Sequence, residues 1–187
     1  MSDQEKIEEL LVKLKEKDTE DYTHSLRVQE VAKKFVELFD ITSEEKETIV
    51  TAAILHDIGI LDIEDYILKK AGRLNFDEYE EIKHHVEKAD SIIKGLACYE
   101  KIKDIIRHHH ENVNGFGYPD SLEKDEIPLG SKILHVIEAY DTMTKGRKNR
   151  KAVFTKDRAA KELLEYADRI YDKDVVEKFV TLIPELD

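Results

Sequence analysis

The chain has 187 residues, 42 acidic and 30 basic, giving a formal net charge of −12. That length and a 41% hydrophobic content suit one packed domain, and the acidic balance excludes binding of long nucleic acid through a general basic field. A single cysteine, Cys98, rules out an internal disulfide framework, and the apolar runs fall far short of the roughly 20 residues that span a bilayer.

Met1 is followed by acidic and polar residues rather than a basic and then apolar leader, which predicts a cytoplasmic protein. Ile7, Leu10, Leu11 and Leu14 repeat at helical spacing and predict an amphipathic helix over residues 1–17, packed on a domain formed by residues 18–187. Leu26, Val31, Ala32, Phe35 and Leu38 continue the period beyond a polar break near Lys17 and Asp18. Thr42-Ser43-Glu44-Glu45 has the form of a capping box and opens a helix through Ile49, Ala53 and Ile54. Gly59 is placed to stop it, which sets His56 and Asp57 in its last turn. Asn75-Phe76-Asp77-Glu78 signals one further helix carrying Ile82, Val86, Ala89 and Ile93 and closing near Gly95. Another is expected from about Tyr99 into the histidines.

Gly115, Gly117, Pro119, Pro128 and Gly130 mark an irregular stretch, after which Ile133, Leu134, Ile137 and Met143 resume helical spacing. Two more amphipathic segments follow, one with Leu163, Leu164 and Tyr166, the other with Val175, Val176, Phe179 and Val180. Period-two alternation is essentially missing, so the expected fold class is all-α, a single-domain helical bundle.

Eight histidines are present, and several stand beside carboxylates. His56-Asp57 pairs an imidazole with a carboxylate among Ile54, Leu55, Ile58 and Ile60, and buried ionisable groups need partners. Glu20 and His24 share one helix face at a spacing of four, and Glu138 and Asp141 lie one turn apart on the helix after the loop. Of consecutive His108, His109 and His110, two neighbours can flank one cavity while the third points elsewhere, and His84 and His85 pose the same choice. A ligand set of imidazoles and carboxylates without thiolate suits iron, manganese, zinc or nickel. Two such ions about 3.5 to 4 Å apart suit in-line phosphodiester hydrolysis. No Gly-x-Ser-x-Gly elbow or Walker-type glycine loop occurs, and one cysteine excludes a zinc finger.

His24-Ser25-Leu26-Arg27, His56-Asp57-Ile58-Gly59, His85 with Ala89, His109-His110-Glu111 and Gly117-Tyr118-Pro119 occur in that order, followed by Ile127-Pro128-Leu129. With these motifs the chain resembles an HD-GYP domain over roughly residues 18–182. The resemblance implies a helical bundle of the HD superfamily with an irregular Gly-Tyr-Pro loop. It also implies a bacterial signalling phosphodiesterase that opens cyclic di-GMP to linear pGpG or GMP, or in some members acts on cyclic GMP-AMP, by attack of a metal-bound hydroxide. Its cofactors would be two or three divalent ions, iron or manganese first, with zinc or nickel as alternatives. By resemblance His56, Asp57, His85, His109, His110 and Glu138 are metal ligands, with Asp57 bridging, and Glu20 and His24 match the positions of a third ion. The resemblance further implies that His56, Asp57, His109 and His110 would carry the catalysis, and that Tyr118, Asp141, Arg147 and Arg150 match nucleotide contacts. The implied partners are a cyclic dinucleotide, with signalling proteins or a second copy of the chain also in view.

Three positions depart from the pattern. Ile60 replaces a lysine expected on a substrate phosphate, Glu138 replaces a metal-ligating aspartate, and Asn114 replaces an aspartate before Gly115. Ile60 and Glu138 keep open a catalytically weak or inactive metal- and nucleotide-binding signalling module. An HD phosphohydrolase of another nucleotide is the further alternative.

Overall fold

The structure is a computed structural model that describes residues 1–146 and 153–186. Its described residues form ten α-helices: α1 (Asp3–Lys17), α2 (Thr19–Phe35), α3 (Ser43–Leu55), α4 (Asp65–Leu68), α5 (Phe76–Lys83), α6 (His85–Ile93), α7 (Tyr99–Arg107), α8 (Leu129–Lys145), α9 (Lys156–Glu165) and α10 (Lys173–Leu182). No strand forms among these residues, only isolated bridges at Asn114–Glu123 and Ala167–Tyr171. The all-α expectation agrees with this architecture. No helix among the described residues is long and apolar enough to cross a membrane.

Helix starts follow local chemistry. Ser2 with Glu5, Thr42 with Glu45 and Asn75 with Glu78 each close a reciprocal capping box, satisfying backbone N–H groups that a first turn leaves unpaired. Asp18 does the same for α2, accepting from the N–H groups of Glu20 and Asp21. Helix ends depart from the sequence reading. α3 stops at Leu55 and gives way to a 3-10 segment, Ile58–Asp62, that contains Gly59. Gly59 therefore does not cap α3. A Cβ there would lie 1.8 Å from the His85 carbonyl oxygen and 2.8 Å from the Ala89 nitrogen, so its role is close approach of this segment to α6. The single helix expected over Ile82 to Ile93 is two, α5 and α6, broken at His84, and α7 ends before the three histidines.

The core lies where α8 meets α2, α7, α9 and α10. Phe35 sits edge-on to Phe39 and to Phe179, and Tyr140 packs on Phe179 with ring centroids 5.2 Å apart. Leu55, Ile102, Ile106, Ile133, Leu134 and Ile137 complete a fully buried apolar layer. α1 is fastened beside α2. Leu14 is fully buried, Asp3 accepts hydrogen bonds from the N–H groups of Ala97 and Cys98, and Lys6 donates to the Gly95 carbonyl.

Candidate metal centre

Four segments meet at one buried carboxylate, Asp57, which is 3% exposed: α2, the end of α3, the start of α6 and the stretch after α7. Its Oδ2 lies 3.2 Å from His56 Nε2 and 3.9 Å from His24 Nε2. Its Oδ1 faces the other way, 3.3 Å from His85 Nε2 and 3.9 Å from His109 Nε2. Two ligand groups result, His24, His56 and Asp57 in one, and Asp57, His85, His109 and His110 in the other. Asp57 is common to both.

Backbone carbonyls orient three of these rings in the same manner. His56 Nδ1–H donates to Ala53, His85 Nδ1–H to Ile82 and His109 Nδ1–H to Ile106, at 2.7 to 2.8 Å. Each donation fixes the tautomer and leaves the Nε2 lone pair directed at the centre. The Nε2 atoms of His85 and His109 are buried and make no hydrogen bond. Unsatisfied buried polar atoms are costly, and two imidazole lone pairs converging on a carboxylate are what a divalent cation requires, so the residues fit a metal.

The electrostatics agree. Burial, with the neighbouring histidines adding to it, holds His109 and His110 well below the ordinary histidine range, so both are neutral donors. Burial also works to lower His56, but the carboxylates of Asp57 and Glu138 outweigh it and raise the ring. Positive charge is favoured at that point. His24 Nε2 lies only 3.3 Å from His56 Nε2, and its Nδ1–H donates to Asp141 Oδ2 at 2.7 Å.

Asp141 is 4% exposed, and both its oxygens are engaged. Arg27 donates through Nε and Nη2, each at 2.7 Å, in the two-pronged geometry of a strong ion pair. Burial pushes the Asp141 carboxyl up, but the bonds from Arg27 and His24 bring it down to about 2. Asp141, implied by the resemblance as a nucleotide contact, is hydrogen-bonded here to His24 and Arg27. Arg27 lies three residues after His24 on the same face of α2, and its hold on Asp141 is a role that the motif alone does not give. Its spacing was the signal.

Glu138 and Glu20 join neither ligand group. Glu138 Oε2 lies 3.4 Å from His110 Nδ1, at the edge of the centre, and Glu20 stands in the first turn of α2. Tyr118 stacks on His110 with centroids 4.8 Å apart, and the Lys83 ammonium lies 5.1 Å from the Tyr118 ring. Arg147 and Arg150 lie outside the described residues. Ile60 is 5% exposed and part of the apolar core.

Glu111 follows His109 and His110 in the chain, and its function comes only from the fold. It is 2% exposed and accepts from the backbone N–H groups of Asp120 and Leu122, tying the Gly-Tyr-Pro loop down from beneath. Gly117 presses on this anchor, since a Cβ there would meet Asn112 N at 2.2 Å. His108 and Arg107 bind Asp120 from outside. His84 pairs with Glu87, and His135 packs edge-on to Tyr171, with burial lowering it to about 4.

This centre and fold agree with comparison to known proteins. The sequence profile of the HD domain family matches residues 7–175. The chain belongs to the HD domain family, of the HD-GYP type. It is 32% identical over 179 residues to a cyclic di-GMP phosphodiesterase of Thermotoga maritima, covering 91% of this chain and 46% of that protein. It is 29% identical over 156 residues to a 3'3'-cGAMP-specific phosphodiesterase of Vibrio cholerae, covering 82% and 30%. The chain thus spans less than half the length of these curated relatives. Among solved structures, a cyclic GMP-AMP-specific phosphodiesterase of Vibrio cholerae superposes with a TM-score of 0.73 at 16% identity, over 98% of this chain and 49% of that one. An HDG"Y"P protein of Bdellovibrio bacteriovorus gives 0.65 at 16% identity, over 86% and 51%.

Proposed function

We propose that this chain is a metal-dependent phosphodiesterase that hydrolyses a cyclic dinucleotide, cyclic di-GMP first among candidates, to linear pGpG or GMP. The observation that carries the reading is the division of Asp57, with one oxygen turned to His24 and His56 and the other to His85 and His109. A carboxylate so placed would serve a ligand group on each side.

His24, His56, Asp57, His85, His109 and His110 would hold two divalent ions, iron or manganese. Bound there, the ions would acidify a water and set positive charge against the phosphoryl oxygens. Burial keeps His109 and His110 neutral, each with one ring N–H and one free lone pair. In His109 the proton sits on Nδ1, bonded to the Ile106 carbonyl, and Nε2 is left as the lone-pair donor at neutral pH. Tyr118, stacked on His110, offers a ring and a hydroxyl beside the reacting phosphate. Arg147 and Arg150 are assigned to the substrate phosphates on their motif positions. The named activities of the relatives in Thermotoga and Vibrio support the substrate class.

The test is anaerobic turnover of cyclic di-GMP by protein reconstituted with iron or manganese, with products resolved by chromatography. Linear dinucleotide or GMP is expected from the parent, and none from His109→Ala or Asp57→Ala. Turnover that survives both substitutions would sink the proposal. Buried Ile60 and the outlying Glu138 favour a second reading, a receptor that binds metal and nucleotide without hydrolysis. Tight binding with no product under either metal would select it.

A further inference from the structure

A cavity of about 370 Å³ opens off the metal centre at His110 and Glu138 and runs between α8 and α9, with Tyr166, Tyr171, Met143 and Ala139 among its walls. Glu162, on α9, also lines it. The Glu162 carboxylate is half-buried and makes no hydrogen bond or ion pair among the described residues. An acid in that state beside an aromatic wall, continuous with a phosphoester centre, has the form of a base-reading group.

We infer that this cavity is a nucleobase subsite and that Glu162 selects guanine, an inference that rests on the cyclic dinucleotide reading. Guanine presents N1–H and N2–H side by side on its Watson–Crick edge, and a carboxylate accepts both. Adenine presents a ring acceptor beside its amino donor, so the carboxylate gains one bond and faces a lone pair with the other oxygen. Tyr166 and Tyr171 supply ring surface, and Met143 and Ala139 supply apolar floor. His135, edge-on to Tyr171, lies at the wall rather than at the base edge.

The chemistry gives an asymmetric test. Glutamine in place of glutamate offers one acceptor and one donor, the pattern that matches adenine and mismatches guanine. Binding of GMP and AMP to the manganese-loaded protein is measured for the parent, Glu162→Gln and Glu162→Ala, with hydrolysis of cyclic di-GMP and cyclic di-AMP alongside. The parent is expected to prefer GMP. Glu162→Gln should reduce the GMP-over-AMP ratio by about tenfold or more and strengthen AMP binding, because a hydrogen bond to a charged group is worth about that factor. Glu162→Ala should weaken GMP without strengthening AMP, a difference that general loosening of α9 does not produce. The same GMP-to-AMP ratio in all three proteins overturns the inference. Failure of the phosphodiesterase reading is seen separately, as a parent protein that hydrolyses neither cyclic dinucleotide nor bis(p-nitrophenyl) phosphate, while the binding ratios still decide on Glu162.

Discussion

Gly59→Ala tests whether the metal centre depends on the close contact beneath it. The added Cβ would stand 1.8 Å from the His85 carbonyl oxygen, where real Cβ contacts begin near 3.0 Å, so the 3-10 segment and α6 must separate by about 1.2 Å. The other near atoms are the His85 carbonyl carbon and the Ala89 nitrogen, also backbone, so no side chain can rotate away. His85 Nε2 now lies 3.3 Å from Asp57 Oδ1. Metal coordination tolerates only about 0.2 Å, so such a shift removes His85 from the ligand set. Overpacking against unyielding backbone costs up to about 3 kcal/mol, which in a chain of this length lowers Tm by roughly 6–12 °C. Gly95→Ala is the control, since nothing lies within 4 Å of a Cβ there. Manganese bound per chain, measured by mass spectrometry, and Tm by calorimetry are the readouts. A Gly59→Ala protein that binds as much manganese as the parent and melts at the same temperature refutes the argument.

Removal of metal by chelation should lower Tm, and manganese at about one hundred times its Kd should restore about 2.7 kcal/mol; no shift with manganese, iron, zinc or nickel would contradict the ligand groups. Asp141→Asn deprives His24 of its charged acceptor and Arg27 of its ion pair, and should weaken the ion on the His24–His56 side by about 10–100-fold while His85 and His109 still bind. Calorimetric titration should then resolve one tight and one weak ion, and two unchanged sites would remove Asp141 from this role. Glu111→Ala takes the carboxylate acceptor away from the part-buried N–H groups of Asp120 and Leu122, at about 1–2 kcal/mol each. It should destabilise the protein by about 2–4 kcal/mol in urea unfolding and leave metal content intact; a loss below about 0.5 kcal/mol would show that the loop is held by other contacts.

The helices and their starts were legible because capping chemistry is local: Thr42 and Glu45, like Asn75 and Glu78, need only each other. The ends were not. Gly59 reads as a stop signal in sequence, yet it is demanded by α6, which lies 26 residues later and becomes a neighbour only through folding. The same limit applies to Asp141, whose partners Arg27 and His24 precede it by more than one hundred residues. The motif placed Asp141 near the site, but only the packing of α2 on α8 decides what its oxygens meet. The membership of His56, Asp57, His85, His109 and His110 in one cluster could be proposed from the ordered motifs. A bridging Asp57 was implied with them, but not which histidines each of its oxygens faces, because that depends on side-chain direction.

Why the ends fall where they do has a common physical cause. The last carbonyls of a helix have no backbone partner within it and must be satisfied otherwise. α3, α5 and α7 each end one or two residues before a ligand, at His56, His85 and His109. In all three the ring turns back to donate Nδ1–H to a carbonyl of the last turn, from Ala53, Ile82 and Ile106. One hydrogen bond thus finishes the helix and fixes the imidazole tautomer. A histidine in mid-helix would find the corresponding carbonyl already engaged by the backbone. The departure of the observed helices from simple hydrophobic periodicity, shorter at α3, split at His84 and stopped before His108, is therefore part of the metal centre. Three helix ends supply Nε2 lone pairs aimed at Asp57, and continuing any of the helices through its histidine would lose one.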